Sequence, residues 1–158
     1  MGLLAGLVAL SALVSSPAAQ AAEGEAQLAV FAEGGASLDE SAASFGGGID
    51  AWWGLDSWLW LSTSLSGASV SDGAVGTALG GLVLAADVLS VVPWIEGSAG
   101  ALIGPGGPAP AGRLSLGVDY ALSFEWSVGA YTRLRMGPES ADGLVWVGGL
   151  RLAHRFEP

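Results

Sequence analysis

The sequence contains no cysteine, lysine or asparagine, and its basic side chains are five arginines and one histidine. Without cysteine, a disulfide framework, a thiolate metal site and a cysteine nucleophile are excluded. No basic run occurs and the formal net charge is −10, which argues against a nucleic-acid partner. Gly46-Gly47-Gly48 is not a phosphate loop, because no Lys-Ser or Lys-Thr pair follows it. No cofactor and no metal are expected.

The N-terminal segment is apolar from Gly2 to Val14 and continues through Pro17 to the small-residue site Ala19-Gln20-Ala21. The run is shorter than the roughly 20 residues that a membrane-spanning helix needs. It is typical of a cleavable secretory signal peptide, although no Lys or Arg precedes it; a buried N-terminal helix is the alternative. We therefore expect a signal peptide at residues 1–21 and one exported β-barrel domain at residues 22–158.

The rest of the chain has no long amphipathic helical pattern, and clusters of Gly, Ser, Asp and Pro divide it into short apolar runs. These runs predict eight strands, at about 26–34, 44–54, 57–67, 76–88, 92–103, 112–122, 124–136 and 144–156. Longer connections, predicted at roughly 34–44, 67–76, 104–112 and 137–143, alternate with tighter ones. This rhythm indicates an all-β fold, an eight-stranded antiparallel up-and-down transmembrane β-barrel.

Residues 74–92 have an alternative interpretation, because alone they are long and apolar enough for a membrane helix. Gly76 and Gly80 also match a small-xxx-small pair. Asp87 disfavours a central position in a bilayer, and a single helix leaves the alternating segments elsewhere unexplained. The strand interpretation is therefore favoured.

Charged residues on the predicted strands share one face. Arg113 and Asp119 are an even number of residues apart, as are Arg151 and Arg155, so each pair lies on one face of its strand. Leucines occupy the alternate positions, on the opposite face. An arginine at the bilayer midplane of a barrel costs about 2–4 kcal/mol, so the charges are predicted to line the lumen. The expected lumen ion network is Glu33, Asp50, Asp87, Glu96, Arg113, Asp119, Glu125, Arg133, Arg135, Arg151 and Arg155. Such a network fills a narrow eight-stranded lumen; a binding or gating site is the alternative.

Aromatic residues of outward parity are predicted near both ends of the strands, where amphipathic rings meet a membrane interface. We call the end of the barrel with the tighter connections the turn rim and the end with the longer predicted connections the loop rim. The expected aromatic girdle is Trp53, Tyr120, Trp126 and Phe156 near the turn rim, with Phe45 and Trp146 near the loop rim. The only histidine, His154, is predicted to face lipid without a catalytic partner, so catalysis is not expected there.

Three features carry a resemblance to a known family: the signal ending in Ala19-Gln20-Ala21, the eight alternating segments, and the last strand "LVWVGGLRLAHRF". With them the chain resembles small eight-stranded outer-membrane β-barrels of the OmpA transmembrane-domain type, over the whole mature part. The resemblance implies a porin-like cell-envelope protein of a Gram-negative bacterium, located in the outer membrane and in contact with its lipid. It also implies that the barrel-assembly machinery recognises the C-terminal strand through Phe156, which Glu157 and Pro158 follow.

The expected function is a non-enzymatic, monomeric barrel with a structural or surface-interaction role. An exported soluble ligand-binding barrel of lipocalin type is the alternative. It requires the leucines of every strand to face the interior and the charged residues to face water. The loop acids Asp39, Glu40, Asp72, Glu139 and Asp142 are interpreted as solvated charge rather than as a weak calcium site. In the last hairpin, facing residue numbers should sum to about 280, which predicts Glu125 opposite Arg155, both inside the barrel.

Overall fold

A computed structural model describes residues 24–37, 43–70, 73–86, 90–137 and 144–156. They form eight strands: β1 (Ala26–Ser37), β2 (Ala43–Gly54), β3 (Leu59–Val70), β4 (Gly73–Ala85), β5 (Val91–Gly104), β6 (Gly107–Ala121), β7 (Trp126–Met136) and β8 (Leu144–Phe156). Each strand pairs antiparallel with the next, and β8 pairs with β1, so the sheet closes into a barrel. The predicted eight-stranded up-and-down barrel is confirmed, whereas the expected signal peptide lies outside the described residues.

The segment for which a helix was the alternative is a strand from Gly73 to Ala85. Within the described ranges, no helix is long and apolar enough to span a membrane. The strand interpretation is therefore confirmed for these residues, and Asp87 lies outside them.

Two of the predicted connections are much shorter than expected. Only two residues separate β3 from β4, and only two separate β5 from β6. The second of these hairpins turns at Gly107, whose φ of 92° suits a residue without a Cβ. Pro108 and Pro110 then fit into β6 because pairing of β6 with β7 begins only at Gly112, which leaves this stretch a one-sided edge.

The strands are staggered around the barrel. A path through register partners that leaves β1 at Ala26 returns to β1 at Ala36, ten residues further along, after passing Trp53, Leu61, Leu82, Gly97, Leu114, Leu134 and Trp146. A stagger of this kind requires strands tilted to the barrel axis, and eight such strands leave an interior just wide enough for side chains. The lumen is therefore narrow and mostly filled by side chains.

Side chains alternate between the lumen and the outer face along each strand. In β8, Val147 and Arg151 are buried, whereas Trp146, Leu150 and Leu152 are exposed. The buried set includes charged residues and the exposed set is apolar, which is the reverse of a soluble barrel. The alternation seen in the sequence therefore places polar groups inside and leucines outside.

Candidate functional site in the barrel lumen

The lumen holds five acidic and five arginine side chains in the described residues. The acids are at most 7% exposed; they are Glu25, Glu33, Asp50, Glu96 and Asp119. Three arginines are at most 3% exposed, namely Arg113, Arg133 and Arg151. The side chains of Arg135 and Arg155 are 17% and 27% exposed, nearer the two rims. The charges of these described side chains therefore cancel.

Glu96 on β5 is the most deeply buried acid, with 0% of its surface exposed. Arg113 Nη2 on the neighbouring β6 lies 2.6 Å from Glu96 Oε1. Ser62 Oγ donates to the same oxygen at 3.0 Å, and Ser115 Oγ donates to Oε2 at 3.2 Å. A buried carboxylate is stable only when its lone pairs are paired in this way.

A chain of ion pairs continues from Arg113 across the barrel. Arg113 Nη2 lies 3.5 Å from Asp50 Oδ1, and Arg133 Nη2 donates to Asp50 Oδ2 at 2.6 Å. Arg133 Nη1 lies 3.3 Å from Glu33 Oε2, and Arg135 pairs with the other oxygen of Glu33. The network thus ties together β1, β2, β5, β6 and β7, which are not all neighbours in the sheet.

A second group lies nearer the turn rim, around Arg151. Its Nη1 is 3.5 Å from Asp119 Oδ2, and its Nη2 donates to Gln27 Oε1 at 3.1 Å. Trp94 Nε1 donates to Asp119 Oδ1 at 3.1 Å. At the turn-side end, Arg155 Nε lies 2.6 Å from Glu25 Oε1.

Of the eleven residues expected in the network, the structure places nine in the lumen, and Asp87 lies outside the described residues. Glu125 is the exception: it is exposed, because β7 begins at Trp126 and Glu125 belongs to the preceding turn. The predicted register is confirmed by the pairing of Trp126 with His154. Arg155 N donates to the main-chain oxygen of Glu125 at 2.7 Å, but the guanidinium pairs with Glu25. The expected inward placement of Glu125 is wrong, since strand alternation does not extend into a turn.

Sequence reasoning missed two sets of lumen residues. The first is Glu25 and Gln27 at the turn-side end of β1, which are 5% and 6% exposed. The second is a buried aromatic set, comprising Phe31, Trp52, Trp60, Trp94 and Tyr131. Strand alternation could have identified four of these rings, because each lies two residues from a charged lumen residue and so shares its face. The charged residues are, in the same order, Glu33, Asp50, Glu96 and Arg133, next to Phe31, Trp52, Trp94 and Tyr131.

The residues predicted for the aromatic girdle all lie on the outer face. Their exposed fractions range from 41% for Trp126 to 68% for Phe45; the others are Trp53, Tyr120, Trp146 and Phe156. Trp58 and Phe124, in turns between strands, are also exposed at 43% and 95%. The turn rim therefore carries more large aromatic side chains than the sequence pattern predicted.

His154 also lies on this outer face, in contact with two aromatic rings. It stacks on Phe156 with ring centroids 4.5 Å apart and lies 4.6 Å from the Trp126 ring. His154 Nδ1 is 2.9 Å from the main-chain oxygen of Arg155, which can only accept a hydrogen bond. Across the described chain, no group of three acidic or histidine side chains is arranged to hold a metal ion. The loop acids considered for calcium lie outside the described residues.

Comparison with solved structures shows what this architecture is similar to. The crystal structure of Neisserial surface protein A matches with a TM-score of 0.64 and 15% identity, over 87% of this chain and 98% of that one. The N-terminal β-barrel domain of Pseudomonas aeruginosa OprF matches with a TM-score of 0.61 and 12% identity, over 85% and 98%. A de novo designed transmembrane β-barrel matches with a TM-score of 0.54 and 14% identity, over 82% and 95%.

No protein-family model and no curated protein sequence matches the chain. At these identities the likeness concerns the fold, which agrees with the closed antiparallel topology. The chain therefore has the fold of the small eight-stranded outer-membrane β-barrels.

Proposed function

We propose that this protein is a monomeric integral barrel of the bacterial outer membrane, with a structural or surface-interaction role and no enzymatic activity. One observation carries the proposal: paired charges fill the interior while large apolar side chains cover the exterior. Leu65, Leu116 and Leu150 are 64%, 58% and 65% exposed, in the middle parts of three different strands. A soluble monomer seldom exposes a contiguous apolar patch beyond a few hundred Å². Lipid is the solvent that suits this surface.

The soluble ligand-binding alternative needs an apolar cavity inside the barrel and a polar exterior. The lumen instead holds ten charged side chains and a packed aromatic cluster. This geometry opposes a lipocalin-like role.

The structural role is supported by the charge balance among the described lumen residues, where each ion pair joins an arginine to a carboxylate. The similar protein from Neisseria is by its name a surface protein. If this chain acts at the surface, its two-residue connections between β3 and β4 and between β5 and β6 offer little contact area. The longer connections, 38–42 and 137–143, would then make the contacts.

The location is tested by expressing the full sequence in a Gram-negative host and fractionating the cells. We expect the protein to sediment with outer membranes, to resist a carbonate wash, and to change its apparent mass in gels when boiled. Quantitative recovery in the soluble periplasm would contradict the proposal. The assigned role is tested separately, by comparing envelope integrity in the natural host with and without the protein.

A further inference from the structure

Five aromatic rings form a continuous layer across the lumen. Trp52 lies 5.3 Å from Trp94 and 6.5 Å from Trp60, as measured between ring centroids. Tyr131 lies 6.3 Å from Trp94 and 6.1 Å from Phe31. The three tryptophans are each within three residues of the turn-side end of their strand. The layer therefore spans the barrel nearer its turn rim.

The strands without an aromatic member also fit the layer. Val83 on β4 is 0% exposed and belongs to the same cluster. β6 and β8 present glycines: a Cβ at Gly117 would overlap the Trp94 ring, and a Cβ at Gly149 would overlap the Tyr131 hydroxyl. All eight strands thus either contribute a side chain to the layer or leave room for a neighbour's ring.

Two arginines close the spaces between the rings. The guanidinium of Arg133 lies 4.2 Å from the centroid of Phe31 and 4.1 Å from that of Tyr131. The guanidinium of Arg151 lies 3.9 Å from the centroid of Trp52 and 5.2 Å from that of Trp94. Cation–π contacts and the ion pairs to Asp50 and Asp119 hold both groups in place. The layer is therefore dense and anchored.

The loop-side half of the lumen is different, because it contains a cavity of about 30 Å³. Apolar side chains line most of this cavity, and hydroxyl groups and arginines line one part of it: Ser44, Ser66, Thr77, Arg113 and Arg135. A water molecule needs roughly 10–15 Å³ of such volume and several polar partners, so this space suits about two water molecules.

We propose that the lumen is a blind aqueous vestibule. Water and small ions enter from the loop rim as far as Arg113, and the aromatic layer with the two arginines that fill it, rather than the Arg113–Glu96 ion pair, is the barrier to the turn rim. The inference rests on the proposed membrane location and adds which residues make the barrel impermeable.

The barrier is tested by proton flux across lipid vesicles that contain the refolded protein and a pH-sensitive dye. The wild type should leak no faster than empty vesicles, and Trp52→Ala with Trp94→Ala should leak several-fold faster. The matched control is Leu79→Ala with Leu102→Ala, which removes buried apolar bulk from residues lining the loop-side cavity. Vesicles with this control variant should leak protons no faster than vesicles with the wild type, and the same is expected for Arg113→Met with Glu96→Gln.

A leak in either of the last two variants, or none from a folded tryptophan variant, would overturn the barrier assignment. If the double tryptophan variant does not insert, Trp52→Ala alone carries the same expectation. Failure of the wild type to insert would overturn the proposed function together with the barrier.

The vestibule has its own test, because the chain contains no cysteine. Ser66→Cys lines the cavity, whereas Thr63→Cys is an exposed outward position on the same strand. In vesicles, silver ions should react with the thiol of Ser66→Cys and not with that of Thr63→Cys. When Ser66→Cys is added to the leaky tryptophan variant, silver should change the rate of proton flux. An unreactive Ser66→Cys in the folded barrel would contradict a water-filled vestibule.

Discussion

Glu96 illustrates the condition that each lumen charge must meet. Its carboxylate is fully buried and receives hydrogen bonds from one guanidinium and two hydroxyls. Removing one partner of such a pair leaves an uncompensated charge, which is more costly than replacing both partners. The stability of the lumen is therefore set by pairing more than by the number of charges.

Strong coupling is therefore expected between Arg113 and Glu96. Arg113→Met should reduce the free energy of unfolding by about 3–5 kcal/mol, and adding Glu96→Gln should cost less than the two single changes together. The measurement is a double-mutant cycle by urea unfolding in lipid vesicles. Glu125→Gln, in an exposed turn, is the control and should leave the midpoint unchanged. Strict additivity of the pair would show that the two side chains are not in contact.

A second prediction concerns glycine beside the aromatic layer. Gly117→Ala should displace the Trp94 ring and cost about 1–3 kcal/mol by overpacking, with a change in near-UV circular dichroism. Gly97→Ala is the matched control, because a Cβ there has no atom within 4 Å. It should leave both the spectrum and the stability as they are. Equal effects of the two changes would argue against close packing of Trp94 on β6.

At the scale of the strand, two-residue periodicity separates a lipid face from a lumen face. The outer face of β6 carries Leu114, Leu116 and Val118, all between 47% and 58% exposed. On the lipid face, the destabilisation caused by a charged side chain depends on how deep its position lies in the bilayer.

We therefore expect Leu116→Arg to destabilise the barrel in lipid by about 2–4 kcal/mol, whereas Ser69→Arg, outward and next to the loop end of β3, should cost about 0–1 kcal/mol. Unfolding titrations in vesicles measure both. A similar loss of stability at the two positions would mean that the middle of the outer face is not in contact with the hydrocarbon core of the membrane.

The final strand carries a further prediction, which tests the recognition by the barrel-assembly machinery that the sequence resemblance implies. Phe156 ends β8 on the outer face and is 46% exposed. Phe156→Ala should lower the fraction of folded protein in outer membranes of the expression host, while Phe45→Ala, an exposed aromatic at the other rim, should not. The readout is the heat-modifiable band in gels. Normal assembly of Phe156→Ala would show that this ring is not the recognition element.

At the scale of the whole molecule, the charges of the described lumen residues balance, whereas the full sequence is strongly acidic. All five arginines lie in the lumen with five described acids, so the formal charge of −10 equals the number of the other ten acids in the sequence. Of these, Asp56 and Glu125 lie in described turns and are exposed. No lysine or arginine is left outside the lumen to balance them.

Closure of the lumen by the aromatic layer predicts that the purified protein forms no steady channel. Planar-bilayer recordings of the refolded wild type should show the baseline of lipid alone, since the narrow eight-stranded lumen is closed near the turn rim. A large, reproducible and voltage-independent conductance would contradict this expectation, and with it the aromatic barrier.

The local sequence pattern by itself determined the number of strands, their approximate bounds and which residues face inward. It could do so because side chains alternate with a period of two, and a charge such as Arg151 between leucines identifies its face from its neighbours alone. It overestimated the loops around Gly73 and Gly107, since composition does not show where pairing between strands ends. It also extended alternation into a turn at Glu125.

Only the tertiary structure decided which charges meet. Asp50 lies between Arg113 and Arg133, which are far from it in the chain, because stagger and closure bring β2, β6 and β7 to the same level of the lumen. The aromatic layer has the same origin: Trp52, Trp94 and Tyr131 come from three separate strands. Alternation assigns each of them a face, but the partner of a side chain inside a closed barrel depends on the register summed around all eight strands.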